Sequence, residues 1–158
     1  MKNQKLLLQK MSGVSLMLLL FLFFSNCAGG GGTFSTDVWN ITYDDQEGGI
    51  SLTYKSKNIC NGMYASYQWE GKEIKTSDYA RHKISTGKVS DSFGKGHIYK
   101  VEYTDKELPE LTQYFYLYPD KEYILTDFTV EAKEEISSAK MAPVNVDSIS
   151  GFLQAGDN

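Results

Sequence analysis

From Thr33 onward, apolar and polar residues alternate in short runs, and no stretch shows the apolar spacing of an amphipathic helix. Alternation with a period of two is typical of half-buried β-strands, because successive side chains of a strand point to opposite faces of the sheet. The runs predict strands over residues 38–43, 50–55, 63–70, 97–104, 111–118, 123–132 and 141–146.

Turn-forming residues separate these runs and mark the predicted chain reversals. The reversals are predicted at Glu47-Gly48-Gly49, Asn61-Gly62, Glu70-Gly71-Lys72, Gly94-Lys95-Gly96 and Pro119-Asp120-Lys121. Short strands at a spacing of roughly ten residues favour an antiparallel β-sandwich over a βαβ fold. Only residues 131–138 could form a short helical turn instead. The sequence therefore predicts an all-β fold.

The predicted strand 111–118 is bulky on both of its faces. One face carries Leu111, Gln113, Phe115 and Leu117, and the other carries Thr112, Tyr114, Tyr116 and Tyr118. Such a strand suits the middle of a sandwich whose outer face is covered or binds a ligand. The tyrosines therefore have two interpretations, packing within the fold or contact with a sugar, whose C–H-rich face can stack on an aromatic ring.

The N-terminus has the anatomy of an export signal. Lys2, Lys5 and Lys10 form a basic region, and residues 11–24 are an uninterrupted run of apolar and small side chains. This run of 14 residues is shorter than the roughly 20 residues that a membrane-spanning helix needs. A signal peptide is therefore favoured over a permanent transmembrane helix.

Ser25, Asn26 and Cys27 follow the apolar run and resemble the lipobox of bacterial lipoproteins, in which the cysteine becomes the first residue and is acylated. Ser25 suits that pattern, whereas Phe24 and Asn26 depart from the usual leucine and glycine or alanine. The resemblance implies lipid attachment at Cys27 and an exported protein that is anchored in the periplasm or at the surface of a bacterium. The alternative is that Cys27 merely neighbours a simple secretory cleavage site.

Four consecutive glycines, Gly29 to Gly32, come soon after Cys27. Glycine loses the most backbone entropy on ordering, so residues 28–36 are predicted to be a flexible tether. A phosphate-binding loop would need a preceding strand and a following helix, and neither is predicted here. The predicted organisation is a lipoprotein signal over residues 1–27, a tether over 28–36 and a partial β-sandwich domain over 37–158.

Charge and cysteine content limit which kinds of partner the chain after residue 27 can bind and whether it can form a disulfide. Removing Lys2, Lys5 and Lys10 with the signal leaves 13 basic against 20 acidic side chains, a formal charge of about −7. This acidity argues against nucleic acid and against electrostatic docking on anionic lipid. With Cys27 assigned to the anchor, Cys60 is the only other thiol, so no intrachain disulfide is predicted and Cys60 is expected to be buried.

Aromatic residues are the main candidates for ligand contact, since the chain holds 11 tyrosines and 2 tryptophans. Trp39 and Trp69 lie on short predicted strands with polar neighbours, which makes each a candidate platform for a sugar ring. Packing within the fold is the alternative for both.

Metal and catalytic chemistry have little support in the sequence. His82 and His97 have no cysteine or paired acid at metal-ligand spacing, so no zinc site is predicted. Asp44, Asp45 and Glu47 lack calcium-loop spacing, which favours a solvated acidic turn. No serine-nucleophile elbow is present, no pair of carboxylates can be singled out as glycosidase groups, and no cofactor is predicted.

Five segments occur in an order that resembles the N-terminal β-sandwich of bacterial α-galactosidases (melibiases) of glycoside hydrolase family 36 and their raffinose-synthase-like relatives. They are Asp91-Ser92-Phe93-Gly94-Lys95-Gly96, Leu108-Pro109-Glu110-Leu111, Phe115-Tyr116-Leu117-Tyr118-Pro119, Met141-Ala142-Pro143-Val144 and Leu153-Gln154-Ala155-Gly156-Asp157-Asn158. The resemblance covers residues 91–158 best and is diffuse over residues 33–90.

This resemblance implies a sandwich that is part of a galactose-mutarotase-like supersandwich and packs beside a (β/α)₈ barrel. In the family the barrel carries the aspartate nucleophile and the aspartate acid/base that hydrolyse terminal α-galactosides. Neither aspartate has a counterpart here, and the chain shows no βα alternation. Only Asp157 and Asn158 match a site motif of the family's sandwich, where they would border the site, and a turn at a strand end is the alternative for both.

The leading hypothesis is that this chain is the sandwich portion of an exported, lipid-tethered α-galactosidase-like glycoside hydrolase and is non-catalytic by itself. The resembled chains continue beyond the position of Asn158, so a fragment truncated at its C-terminus is expected. The alternative is a stand-alone carbohydrate-binding or structural lipoprotein.

Overall fold

Alternating side chains build ten strands in the part of the chain that the computed structural model describes, residues 32–119, 121–133, 135–138 and 140–149. In chain order these are β1 (Thr33–Ser35), β2 (Trp39–Asp44), β3 (Gly49–Tyr54), β4 (Lys57–Trp69), β5 (Lys72–Lys75), β6 (Arg81–Asp91), β7 (Gly94–Thr104), β8 (Glu110–Leu117), β9 (Ile124–Glu131) and β10 (Met141–Ile149). The only helical element among the described residues is a 3₁₀ turn over Thr76–Asp78. Within the same residues, no helix is long and apolar enough to cross a membrane.

The strands form two antiparallel sheets. The first sheet has the order β1-β2-β3-β4-β10, with β5 paired to the end of β4, and the second has the order β6-β7-β8-β9. After β9 the chain returns to the first sheet, where β10 pairs with β4. The prediction of a nearly all-β, antiparallel fold is confirmed.

Both sheets contribute side chains to one hydrophobic core. Ile41 and Tyr67 of the first sheet and Val101, Leu111 and Phe115 of the second are fully buried. Complete burial of a large apolar side chain contributes about 1.5–3 kcal/mol. The shared core makes the arrangement consistent with a β-sandwich.

The predicted reversal at Asn61-Gly62 is wrong, because β4 runs through both residues. The register of β3 against β4 shifts between Ile50 and Leu52, which places an extra residue on β4. Gly62 has a φ of 64°, and a Cβ on Gly49 would lie 2.9 Å from the Cα of Gly62. These glycines therefore permit a β-bulge and a close backbone approach within a continuous strand.

The predicted reversal at Gly94-Lys95-Gly96 is also displaced, since all three residues belong to β7. The β6–β7 hairpin turns at Ser92-Phe93, directly before them. Strand β6 was not predicted. Polar residues such as Thr86 and Lys88 pair with inward-facing residues of β7, so apolar and polar residues do not alternate clearly along β6.

Strand β1 lies within the predicted tether, residues 28–36. The carbonyl of Gly32 accepts hydrogen bonds from the amide of Tyr43 (3.1 Å) and the hydroxyl of Tyr99 (2.7 Å). The ring of Phe34 packs against His97 with centroids 5.3 Å apart. Residues 32–35 are therefore part of the folded unit. The predicted signal, Cys27, Asp157 and Asn158 lie outside the described residues.

Strand β10 forms one edge of the first sheet. Met141, Val144 and Ile149 on this strand are exposed, and Pro143 lies where its pairing with β4 is interrupted. Proline is tolerated at such positions because it has no amide hydrogen to donate to a neighbouring strand. The short helical turn considered for residues 131–138 is absent from the described part of that segment, residues 131–133 and 135–138.

Candidate functional site

A cleft of about 860 Å³ lies at the end of the sheets where β4 ends and β8 begins. It is bordered by Trp69 and Glu70, by the β7–β8 loop (residues 105–109), by the facing ends of β8 and β9, and by the segment that follows β9. Its volume is within the range of roughly 300–1,000 Å³ that is usual for small-molecule sites. This cleft is the candidate functional site.

The β7–β8 loop is held at both of its ends. At the start, Asp105 accepts hydrogen bonds from the amides of Glu107 (2.9 Å) and Ala80 (3.3 Å). These bonds, above all the one from Glu107, hold the pKa of Asp105 below its usual value. At the end, the hydroxyl of Tyr79 donates to the carbonyl of Pro109 at 2.7 Å. The loop is therefore positioned before any ligand arrives.

The segment after β9 is tied to the end of β4. The amide of Gln68 lies 2.9 Å from the carbonyl of Lys140 and 3.3 Å from the hydroxyl of Ser138. Lys140 also pairs with Glu73 at 2.8 Å, and this ammonium group holds the pKa of Glu73 below its usual value. The segment after β9 is thus anchored to the strand that carries Trp69.

The cleft is rich in carboxylates. Six acidic side chains line it, against two lysines, Lys106 and Lys133; the acidic residues are Glu70, Asp105, Glu107, Glu110, Glu131 and Glu135. Glu110 and Glu131 are directly opposite each other on β8 and β9. Carboxylates accept hydrogen bonds from hydroxyl groups, and an aromatic side chain offers a face on which an apolar surface can stack. The combination suits a ligand with many hydroxyl groups.

Of the predicted site residues that lie within the described ranges, Trp69 borders this cleft. It ends β4 and is half-buried, with part of the indole packed against the core. The ring is therefore supported by the fold while part of it lies at the cleft.

Trp39 lies at the other end of the strands, beside the β8–β9 connection. Its indole Nε1 is 3.4 Å from the carbonyl of Lys121, its ring packs against Tyr54 with centroids 4.7 Å apart, and it is only 8% exposed. A ring so enclosed offers little surface for stacking, so Trp69 is the more accessible of the two tryptophans. The two tryptophans do not share a site.

The tyrosines of the predicted strand 111–118 lie in two environments. Tyr118 is buried, whereas Tyr114 and Tyr116 are half-buried on the outward face and lie nearly parallel, at 20° with centroids 6.4 Å apart. Packing within the fold therefore accounts for Tyr118, and the outward pair remains partly open to ligands.

The remaining polar candidates have structural partners. Nε2 of His82 is 2.8 Å from Asp45, and Asp44 accepts hydrogen bonds from the amides of Gln46 (2.8 Å) and Glu47 (3.2 Å). Within the described ranges, no group of histidine, cysteine and acidic residues could hold a metal ion. Cys60 is buried as predicted, and this burial raises the pKa of its thiol.

Sequence reasoning did not single out Glu107, Glu110 and Glu131, because their proximity depends on the pairing of β8 with β9 and on the loop before β8. The sequence offered one signal, namely that Glu110 directly precedes the predicted strand 111–118 and that Glu131 lies near the end of the predicted strand 123–132. No family model, no curated protein and no solved structure matches this chain.

Proposed function

We propose that this domain binds carbohydrate in the cleft beside Trp69. The observation that carries the proposal is a partly exposed indole in a preformed cleft of about 860 Å³ that is surrounded by carboxylate acceptors. Sugars combine a C–H-rich face with hydroxyl donors, so both features have a counterpart on the ligand. An α-galactoside is the first ligand to test, because the sequence motifs resemble those of α-galactosidases.

In this proposal the domain is the non-catalytic sandwich portion of an exported α-galactosidase-like glycoside hydrolase. The order of the motifs over residues 91–158 supports the family. The antiparallel sheets with a shared core are compatible with the galactose-mutarotase-like supersandwich that the resemblance implies. The family's catalytic aspartates belong to a barrel, so the role assigned to this domain is ligand contact without bond cleavage.

Export and lipid attachment are part of the same proposal and rest on residues 1–27 alone. If Cys27 carries the acyl chains, Cys27→Ser should leave export intact and release the protein from the membrane pellet. Each buried CH₂ of an acyl chain contributes about 0.8 kcal/mol to membrane affinity, and stable anchoring takes more than one chain. A Cys27→Ser protein that stays in the pellet and keeps Met1 would instead show an uncleaved membrane helix.

Isothermal titration of the full chain with methyl α-D-galactoside tests the binding proposal directly. We expect a saturable interaction in the wild type and a loss of about fivefold in affinity for Trp69→Ala, since an aromatic platform contributes about 1 kcal/mol beyond its buried area. Trp69→Phe keeps a ring and should lose less. The matched control is Tyr116→Ala, which removes a partly exposed ring outside the cleft.

Two results would overturn this assignment. The first is an absence of binding to α-galactosides and to a glycan array by a wild-type chain that unfolds cooperatively. The second is equal weakening by Trp69→Ala and Tyr116→Ala. If the chain bound sugars other than α-galactosides on the array, the proposed carbohydrate site would stand. That result would favour a stand-alone binding protein over part of an α-galactosidase-like enzyme.

A further inference from the structure

Glu110 and Glu131 form an unbalanced pair at the mouth of the cleft. They occupy the same register position on neighbouring antiparallel strands, and both side chains are exposed. Like charges that face each other across two strands destabilise a sheet. Among the described residues neither glutamate has an ion-pair partner within 4 Å, and Lys100 on β7 attracts Glu131 only from a greater distance, so the sheet compensates for part of their repulsion.

The surroundings strengthen the negative potential at this point. Glu107 lies on the adjacent loop, and Glu70 and Glu135 border the cleft from the other walls. Among the described acidic residues of the cleft, only Asp105 accepts hydrogen bonds from backbone amides, which stabilise its charge. Lys106 and Lys133 offset only part of this charge. A ligand that carries a carboxylate or sulfate of its own would therefore enter against a repulsive field.

We propose that Glu110 and Glu131 make this cleft select uncharged sugars over acidic sugars such as uronides. The inference rests on the proposed carbohydrate binding and adds a substrate class to it. The paired carboxylates accept hydrogen bonds from hydroxyl groups of a neutral sugar. A uronide has a carboxylate in place of one primary hydroxyl group, so it loses a donor and adds a like charge.

The test compares two ligands that differ only at that group, methyl α-D-galactoside and methyl α-D-galacturonide, on the full chain. The wild type is expected to prefer the neutral ligand about tenfold. This is the repulsion expected in water when each of the two glutamates lies roughly 6 Å from the carboxylate of the ligand. In Glu110→Gln/Glu131→Gln the preference should fall to about threefold or less, because glutamine keeps an acceptor and removes the charge. Asp37→Asn is the matched control, since Asp37 is exposed and lies near Trp39 at the opposite end of the strands.

Salt supplies a second measurement that does not depend on any substitution. The preference should decrease as sodium chloride is raised from low to about 1 M, where the screening length is about 3 Å. Equal affinity of the wild type for both ligands would overturn the selectivity, as would a preference that the double substitution leaves intact. A wild type that binds neither ligand nor any neutral glycan would overturn the proposed function itself, which is a different result.

Discussion

The hydroxyl of Tyr118 donates a 2.6 Å hydrogen bond to Oδ2 of Asp91. The other carboxylate oxygen of Asp91 accepts from the amide of Phe93 at 2.8 Å, and the rings of Phe93 and Tyr118 lie 6.1 Å apart. Asp91 therefore joins the β6–β7 hairpin to the residue that follows β8. Two of the segments that carry the sequence resemblance, residues 91–96 and 115–119, meet at this contact.

The Tyr118–Asp91 bond predicts a specific dependence of stability on pH. This bond is the main cause that raises the pKa of Tyr118 to about 12, because a phenolate would face the carboxylate. The phenol of an unfolded chain titrates near pH 10. The stabilisation is therefore fully present below about pH 10 and is lost as the pH rises through about 12.

Tyr118→Phe should lower the unfolding free energy at neutral pH, and the difference from the wild type should vanish across that alkaline interval. Urea unfolding of both proteins at several pH values measures this difference in unfolding free energy. Because the other tyrosines are the same in both proteins, their titration contributes equally to each and does not affect the difference. Asp91→Asn, which keeps an acceptor for Phe93, should remove most of the pH dependence. A Tyr118→Phe difference that stays constant up to high pH would contradict this account.

The packing around Tyr118 also requires a glycine at position 96. A Cβ at this position would lie 2.7 Å from the carbonyl oxygen of Leu117 and 2.7 Å from the ring of Tyr118. We expect Gly96→Ala to lower the unfolding free energy by about 1–3 kcal/mol, the usual cost of overpacking. Lys95→Ala, at the exposed neighbouring position, should stay within about 0.5 kcal/mol of the wild type.

Adding Tyr118→Phe to Gly96→Ala should give no rescue, because the ring stays in place and the carbonyl of Leu117 is part of the backbone. Recovery of the wild-type stability in the double variant would show that the hydroxyl, and not the space, makes glycine necessary at this position.

Gln113 links the two sheets through a partly buried hydrogen bond. Its side chain is fully buried on β8, and Nε2 donates to the carbonyl of Pro143 on β10 at 3.0 Å. Gln113→Leu should cost about 1–3 kcal/mol of unfolding free energy, because the carbonyl of Pro143 would lose its donor. The matched control is Thr112→Val on the outward face of the same strand. If the two substitutions lowered the unfolding free energy equally in urea unfolding, the hydrogen bond from Gln113 to Pro143 would contribute no more to stability than an outward-facing hydroxyl.

The strands that sequence reasoning located are those in which apolar residues alternate clearly. In β8 one of the two predicted faces is buried in the structure, the face that carries Leu111, Gln113, Phe115 and Leu117. Strand β6 was missed because most of its side chains are polar and it lies at a sheet edge. Glycine was the other source of error, since Gly62 makes a bulge and Gly96 admits a neighbouring ring, and both look like turn signals in a sequence.

The candidate site was harder to predict than the fold. Aromatic chemistry singled out Trp39 and Trp69 equally as candidate platforms. The sequence could not show that Trp69 is half-buried at the cleft or that Trp39 is enclosed beside a loop distant in sequence. The acidic residues of the cleft come from three separate segments. Only the strand pairing places Glu110 beside Glu131, and the sequence contains no local pattern that specifies this pairing.

Tyr79 connects the stability of the core to the shape of the cleft. Its hydroxyl is 3.0 Å from that of Tyr67, which is fully buried, and donates to the carbonyl of Pro109 at 2.7 Å. Burial, followed by the hydrogen bond with Tyr67, raises the pKa of Tyr79 well above its usual value, so the phenol stays protonated and able to donate. Loss of this hydroxyl should therefore loosen the β7–β8 loop, which carries Glu107 into the cleft.

We expect Tyr79→Phe to lower the unfolding free energy by about 1 kcal/mol, to accelerate amide hydrogen exchange at residues 106–108 and to weaken the binding of methyl α-D-galactoside. Tyr54→Phe is the matched control, since it removes the 2.6 Å bond from Tyr54 to Glu122 near Trp39, at the opposite end of the strands. That control should leave both the exchange of the loop and the affinity for the sugar unchanged. If Tyr79→Phe lost stability without faster exchange in the loop, the hydroxyl would stabilise the core alone. If the two variants weakened binding equally, the loss would reflect general stability rather than the position of the loop.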